Sequence, residues 1–163
     1  ESSHGYVRRM AMSVYQVLTV PNDILRGKAL PVKEINAGVL RVLDNMRDTM
    51  YAADGVGLAA PQIGIAKRMI VVDIGENLLE LINPEILKRE GNQLGSEGCL
   101  SVPGIVGRVN RAKKVQVKGL DRNGQELNFA AVDLLAKVLQ HEIDHLEGIL
   151  FIDKAIDTRT EKP

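Results

Sequence analysis

Gln140-His141-Glu142-Ile143-Asp144-His145-Leu146-Glu147-Gly148 is the stretch on which the reading of this chain turns. Two histidines four apart in a helix stand one turn above each other on the same face. At that spacing two imidazoles can hold one metal ion. Glu142 projects beside them, where a carboxylate can act on an attacking water. The His-Glu-x-x-His pattern is that of a hydrolytic metal site with the Glu as general base. Two satisfied core histidines would be the plainer account. Glu142 argues against it, because a lone carboxylate on the buried side of a helix is costly without a charged or hydrogen-bonding partner. A metal ion supplies that partner.

The flanking residues predict a helix that can carry the motif. From Asp133 to Glu147 there is no Gly or Pro, and Leu134, Leu135, Val138, Leu139, Ile143 and Leu146 recur at helical spacing. At about 100° per residue, Leu134, Val138, His141 and His145 form one stripe. Leu135, Glu142, Leu146 and Leu139 lie beside it, and Ile143 marks the far edge. Asp133, Lys137, Gln140, Asp144 and Glu147 gather on the opposite, polar side. The helix is therefore expected at the centre of the fold, with both histidines at the rim of its apolar half.

A chain of 163 residues is expected to form one domain with a proper core. Hydrophobic residues make up 45% of it but aromatics only 3%, so the core must be aliphatic. The 21 basic and 21 acidic side chains balance, which gives no support for nucleic acid or an acidic membrane as main partner. No apolar run approaches the roughly 20 residues a membrane span needs. A single cysteine rules out an internal disulfide framework and fits a reducing compartment, so a cytoplasmic location is expected. Residues 1–11 read as a leader or tag remnant and Met12 as a natural start, which leaves 12–163 as one catalytic domain.

Val14 to Val20 is predicted as a short strand ended by Pro21-Asn22-Asp23. A helix is expected from about Asn36 to Ala53, with Val39, Leu43, Met46 and Met50 on one stripe and Gly55 as its stop. The methionines read as core filler. Gly55-Val56-Gly57-Leu58-Ala59-Ala60 superficially matches a dinucleotide loop. Such a loop follows a strand and opens a helix, whereas this one follows a helix and runs into Pro61. What remains is a small-residue segment that lets backbone approach something closely, with Gln62 as its polar side chain. Strands are predicted at Lys67 to Ile74, Leu79 to Asn83, Ile86 to Glu90 and Lys113 to Leu120. Asn123-Gly124 signals a hairpin into Gln125 to Ala131. Ile149 to Ile152 closes the chain as a short apolar segment. Strands precede the last helix without βαβ alternation, so the class is α+β: antiparallel or mixed sheets packed around a central C-terminal helix.

A catalytic zinc-type site takes three protein donors and keeps one open position. The extension His-Glu-x-x-His-x-x-Gly-x-x-His fits through Gly148 and then fails, because Phe151 stands where the third histidine belongs. Glu147, Asp153 and Asp157 are candidates downstream. Upstream, Glu97-Gly98-Cys99-Leu100-Ser101 offers the only thiol of the chain, which a metal would hold deprotonated. A Cys-His nucleophilic pair is another reading of Cys99, but it leaves His145 and Glu142 without a role.

Three stretches together, Gly55-Val56-Gly57-Leu58-Ala59-Ala60-Pro61-Gln62, Glu97-Gly98-Cys99-Leu100-Ser101 and Gln140 to Gly148, resemble the three motifs of bacterial-type peptide deformylases of the compact class. The resemblance runs from about Met12 to Ala155. It implies Cys99, His141 and His145 as ligands of one divalent metal, Fe²⁺ in the native enzyme, with Zn²⁺, Ni²⁺ or Co²⁺ possible in preparations. It implies removal of the formyl group from N-formyl-Met peptides as they are made, near the ribosome exit, with release of formate. Glu142 would move the proton, and Gln62 and the Leu100 N–H would stabilise the oxyanion. The Gly57 backbone would align the substrate as an added strand, and Glu97 and Gln140 would support the ligands. Leu134 and Val138, with Val56, could hold an unbranched methionine side chain. Lys137 and Val106 depart from the family's pattern; the stem of Lys137 is expected to flank that pocket while its ammonium reaches water. Two other functions use the same residues: a metallopeptidase cutting internal bonds, and a closed metal-binding module in which Glu142 and Gln62 would be idle.

Overall fold

The helix that carries the motif spans Asp133–Leu146 in the computed structural model, which describes residues 14–161. Residues 1–11 and Met12 lie outside the described residues. Two helical segments precede that helix, so it is α3 after α1 (Asp23–Arg26) and α2 (Ala37–Ala52). The short turn α4 (Phe151–Lys154) follows it. The strands are β1 (Gly57–Ala59), β2 (Met69–Val72), β3 (Leu79–Glu90), β4 (Gln93–Cys99), β5 (Val102–Arg111), β6 (Lys114–Leu120), β7 (Glu126–Val132) and β8 (Asp157–Thr160). They form a five-stranded sheet in the order β1-β2-β3-β6-β7 and a three-stranded sheet in the order β4-β5-β8. Every strand pair is antiparallel, and the parallel contact present is an isolated bridge between Leu30 and Lys67. The α+β class is as expected, with antiparallel rather than mixed sheets.

Alternation along the strands divides the larger sheet between two helices. Ile70, Val72, Leu81, Val115 and Val117 face α3 and pack on Ala136, Leu139, Ile143 and Leu146. Met69, Val71 and Ile82, with Leu58 from β1, face the other way onto Leu43, Met46 and Met50 of α2. The methionines are core filler. Leu139 is fully buried, worth about 1.5–3 kcal/mol in apolar area. The smaller sheet has its own cluster of Val102, Val109, Leu150 and Phe151. Beyond the end of α3, Gly148 adopts φ +76°, and a Cβ there would collide with the Arg26 carbonyl. Conformation and space both demand glycine, and this fixes how α3 leaves the core.

Several sequence expectations change. Val14 to Val20 is not a strand but an irregular segment, tied by Leu18 N–H to the Gln62 carbonyl at 2.7 Å and by Val20 N–H to the Ser101 carbonyl at 2.9 Å. The helix before Gly55 begins about where expected, after an Asn36 cap, but the left-handed residue at its end is Asp54 (φ 55°), not Gly55. The strand expected at Lys67 to Ile74 shortens to β2. The two expected segments Leu79 to Asn83 and Ile86 to Glu90 are one strand, β3, with its register broken between Ile82 and Glu85. Strands β4, β5 and β8 were not anticipated, so Cys99 ends a strand instead of lying in a loop. Ile149 to Ile152 leads into the turn α4.

Candidate active site

Strand β4 delivers Cys99 to the face of α3 that carries the histidines. The register of β4 on β5 shifts between Glu97 and Cys99, which turns the thiol toward the helix. One donor atom each from Cys99, His141 and His145 falls within 4.8 Å of the others. Cys99 Sγ lies 3.3 Å from His145 Nε2, and the imidazole rings are 5.2 Å apart. Phe151, at the position where the extended motif would place a third histidine, stacks on His141 at 6.2 Å. The downstream candidates are engaged elsewhere: Glu147 with Arg68, Asp153 with Arg26 and Asp157 with Arg108.

A buried ionic network fixes the His141 ring. His141 Nδ1 lies 2.9 Å from Glu97 Oε1, which directs the other ring nitrogen toward the donor cluster. Glu97 takes two hydrogen bonds of 2.9 Å from the Arg111 guanidinium. Arg111 also reaches Asp144 at 2.7 Å, and Lys154 approaches Asp144 at 3.0 Å. Burial disfavours charge on Glu97, but Arg111 and His141 outweigh it and hold the carboxyl down at about 2. Arg111 and Lys154 escaped the sequence reading, and the side of α3 expected to be polar is buried at Gln140 and Asp144. Gln140 does not touch the cluster. It clamps the Ala112 backbone from both sides, accepting from N–H at 3.1 Å and donating to C=O at 2.9 Å, and so anchors α3 beside Arg111.

Replacing Arg111 with Leu is expected to destabilise the fold by about 3–5 kcal/mol, because two buried carboxylates lose their shared guanidinium, leaving Glu97 with His141 alone and Asp144 with the part-exposed Lys154. The melting temperature should fall by roughly 10 °C. Metal affinity should also weaken about 10- to 100-fold through the loosened His141. Thermal unfolding and metal titration check both.

Glu142 is 4% exposed, and burial pushes its carboxyl up to about 7. Its Oε1 and the Nδ1 of His145 are buried side-chain atoms without a hydrogen-bond partner among the described residues. Gly57 makes room for it: a Cβ there would lie 2.7 Å from Glu142 Oε2 and 2.9 Å from Cγ. Gly57 also lies on β1, an edge of the larger sheet. Gln62, 2% exposed on the helical turn Ala60–Ile63, has its orientation fixed from both ends. The Ala59 N–H donates to Oε1 at 2.9 Å, so Nε2 faces the Ser101 hydroxyl at 3.1 Å and Cys99 Sγ at 3.7 Å. Ser101 was not singled out from the sequence.

Burial, with the nearby charges of His141 and Arg111, pushes His145 down to about 3, which keeps its ring in the neutral form that ligates a metal. A thiolate and two imidazoles suit a divalent transition ion, and such an ion beside Glu142 would answer the orphaned carboxylate. Above the cluster a cavity of about 800 Å³ opens, lined by Val56, Gly57, Gln62, Leu100, Val106, Leu134, Lys137, Val138, His141 and Glu142 among others. Val56 and Leu134 are each 47% exposed at its mouth. Lys137 lines the cavity, as expected of its stem, and its ammonium donates to the Ser96 carbonyl at 2.8 Å.

Three such donors with a buried carboxylate beside them and an open cleft are the arrangement of a metal-dependent hydrolase. Residues 14–161 match the family model described as Polypeptide deformylase, and the chain belongs to that family. It is 96% identical to the peptide deformylase of Syntrophomonas wolfei over 151 residues, covering 93% of this chain and 99% of that one. The crystal structure of peptide deformylase from Thermotoga maritima superposes with a TM-score of 0.86 at 38% identity, over 88% of this chain and 99% of that one. The enzyme from Synechococcus elongatus, solved in complex with actinonin, gives 0.85 at 41% identity, over 88% and 79%. The enzyme removes the N-formyl group from nascent N-formyl-Met peptides in a metal-dependent reaction.

Proposed function

We propose that Cys99, His141 and His145 hold a single divalent ion, Fe²⁺ in the cell and replaceable by Zn²⁺, Ni²⁺ or Co²⁺, and that Glu142 moves the proton in deformylation. The observation that carries this is the Glu142 carboxylate, buried against Gly57 with an oxygen that has no partner, beside a three-donor cluster. The ion supplies Lewis acidity toward water and the formyl oxygen. Glu142, raised toward neutrality, takes a proton from the attacking water and returns it to the departing amine. The Gln62 Nε2 and the Leu100 N–H donate to the formyl oxygen as charge develops on it. The free edge at Gly57 aligns the peptide as an added strand. Leu134 and Val138, with Val56 across the cleft, receive the methionine side chain. Glu97 holds His141, and Gln140 acts one step further out, by seating the helix.

Formate release from a formyl-Met peptide, set beside the metal content of anaerobically purified protein, tests the assignment. An enzyme fully active with no metal would overturn it. Gln62→Glu should keep the fold yet lower kcat by about 10²–10³-fold, because an acceptor replaces a donor aimed at the oxyanion. Unchanged kcat would remove Gln62 from that role. We place the enzyme in the cytoplasm, meeting nascent chains near the ribosome exit, with 12–163 as one catalytic domain. The balanced charge, and the buried Arg111–Asp144 pair that joins the smaller sheet to α3, support this reading. No helix among the described residues is long and apolar enough to cross a membrane.

A further inference from the structure

The wall of the cleft that receives the first side chain carries a cation. Lys137 sits on α3 one turn before His141, and its stem lines the cavity beside Leu134 and Val138. Its ammonium donates to the Ser96 carbonyl at 2.8 Å and makes no ion pair with any carboxylate among the described residues. The ammonium rests over Gly95 of β4, where a Cβ would stand 3.4 Å from Nζ, and Ser96 lines the same cavity. An ammonium has three N–H donors. One is committed, and the other two have no acceptor among the described residues.

A methionine thioether makes little use of such a donor, since its sulfur is a weak acceptor. Methionine sulfoxide differs. It keeps the unbranched shape but carries a polar S=O oxygen, which an apolar pocket would desolvate without compensation. We propose that Lys137 donates a hydrogen bond to the first side chain of the substrate, so that the enzyme deformylates N-formyl-methionine sulfoxide peptides and others whose unbranched first side chain ends in an acceptor. This rests on the placement of the methionine side chain between Leu134, Val138 and Val56. The reaction is unchanged: water adds to the formyl carbon, the C–N bond breaks, and formate and the free amine leave. The sulfoxide is neither reduced nor consumed.

The test uses Ni²⁺-loaded enzyme and kcat/KM for formyl-Met-Ala-Ser, formyl-Met-sulfoxide-Ala-Ser (each sulfoxide epimer) and formyl-norleucine-Ala-Ser. For Lys137→Leu and, as a second unbranched variant, Lys137→Met, the sulfoxide-to-methionine ratio should fall on the order of 10- to 100-fold, the scale of a hydrogen bond to a charged group. The norleucine-to-methionine ratio should hold within about threefold. Lys137→Arg should retain most of the sulfoxide ratio. If all three substrates fall together, Lys137 only braces the helix against β4 and the proposal is overturned. If none of them moves, the ammonium does not face the first side chain, and the proposal fails while the metal and Glu142 assignments stand. Loss of formyl-Met turnover by the wild-type enzyme would instead overturn the reading of the site itself.

Discussion

Glu142→Gln is expected to keep its metal and lose about 10²–10⁴-fold in kcat, the usual scale for removing a general acid–base group. The amide has the shape of the carboxylate, so it fits the space left by Gly57, where a Cβ would press to 2.7 Å. It cannot accept a proton from water at neutral pH. The ligand set is untouched, so metal stoichiometry should match wild type. Stability supplies a second readout, with a definite sign. Burial raises the folded-state value of Glu142 above its ordinary 4.5, to about 7. A raised carboxyl favours the folded state only while it is protonated. Its contribution is therefore present below about pH 4.5 and is lost as pH rises toward 7. Measured without metal at neutral pH, Glu142→Gln should melt no lower than wild type. Near-wild-type turnover with metal bound would sink the assigned role.

Cys99→Ser is expected to cost most of the metal and, with it, most of the activity, because a serine hydroxyl does not ionise as a coordinating thiol does. The same change at a merely buried cysteine would cost only a little packing. Cys99 is also the site of a second asymmetry. Thiolate and ion together face an open cleft, so the Fe²⁺ form should lose activity quickly in aerobic buffer. Ni²⁺ or Zn²⁺ forms should last longer, since neither ion readily gives up an electron. Metal analysis and formate release, for both proteins and both ions before and after aerobic incubation, check this. Full metal retention in the mutant with unchanged activity would take Cys99 out of the site.

The parts of the fold that could be read from the chain are those where local pattern and tertiary demand agree. The unbroken 3.6-residue period places α3 to within a residue, and the stripe of Val39, Leu43, Met46 and Met50 does the same for the start of α2. The Asn-Gly turn finds β6 and β7. Strands β4 and β5 stayed hidden because Gly95, Gly98, Gly104 and Gly107, with Pro103, erase the apolar alternation; register with a partner holds them extended. Strand β8 is exposed along its length and shows no pattern at all. The chemistry divides in the same way. Cys99, His141, Glu142 and His145 announce themselves by residue type and spacing. Arg111 does not: it reaches Asp144 across 33 positions and turns an ordinary polar helix face into the buried support of His141. The Ser96 carbonyl that Lys137 binds escaped for the same reason, since it lies on a strand with no sequence signature.

The three candidate donors come from opposite sides of a seam. Cys99 belongs to the three-stranded sheet, while His141 and His145 ride on a helix seated against the five-stranded one. An ion held by all three is then a cross-link between two separately cored layers, closing a loop of 46 positions between Cys99 and His145. It adds to the stability of the assembled state by mass action, about 4 kcal/mol at a thousandfold excess over Kd. Neither layer can gather the three donors alone. Loading is therefore conditional on the layers having come together, a docking that the buried Arg111–Asp144 pair across the same seam also holds.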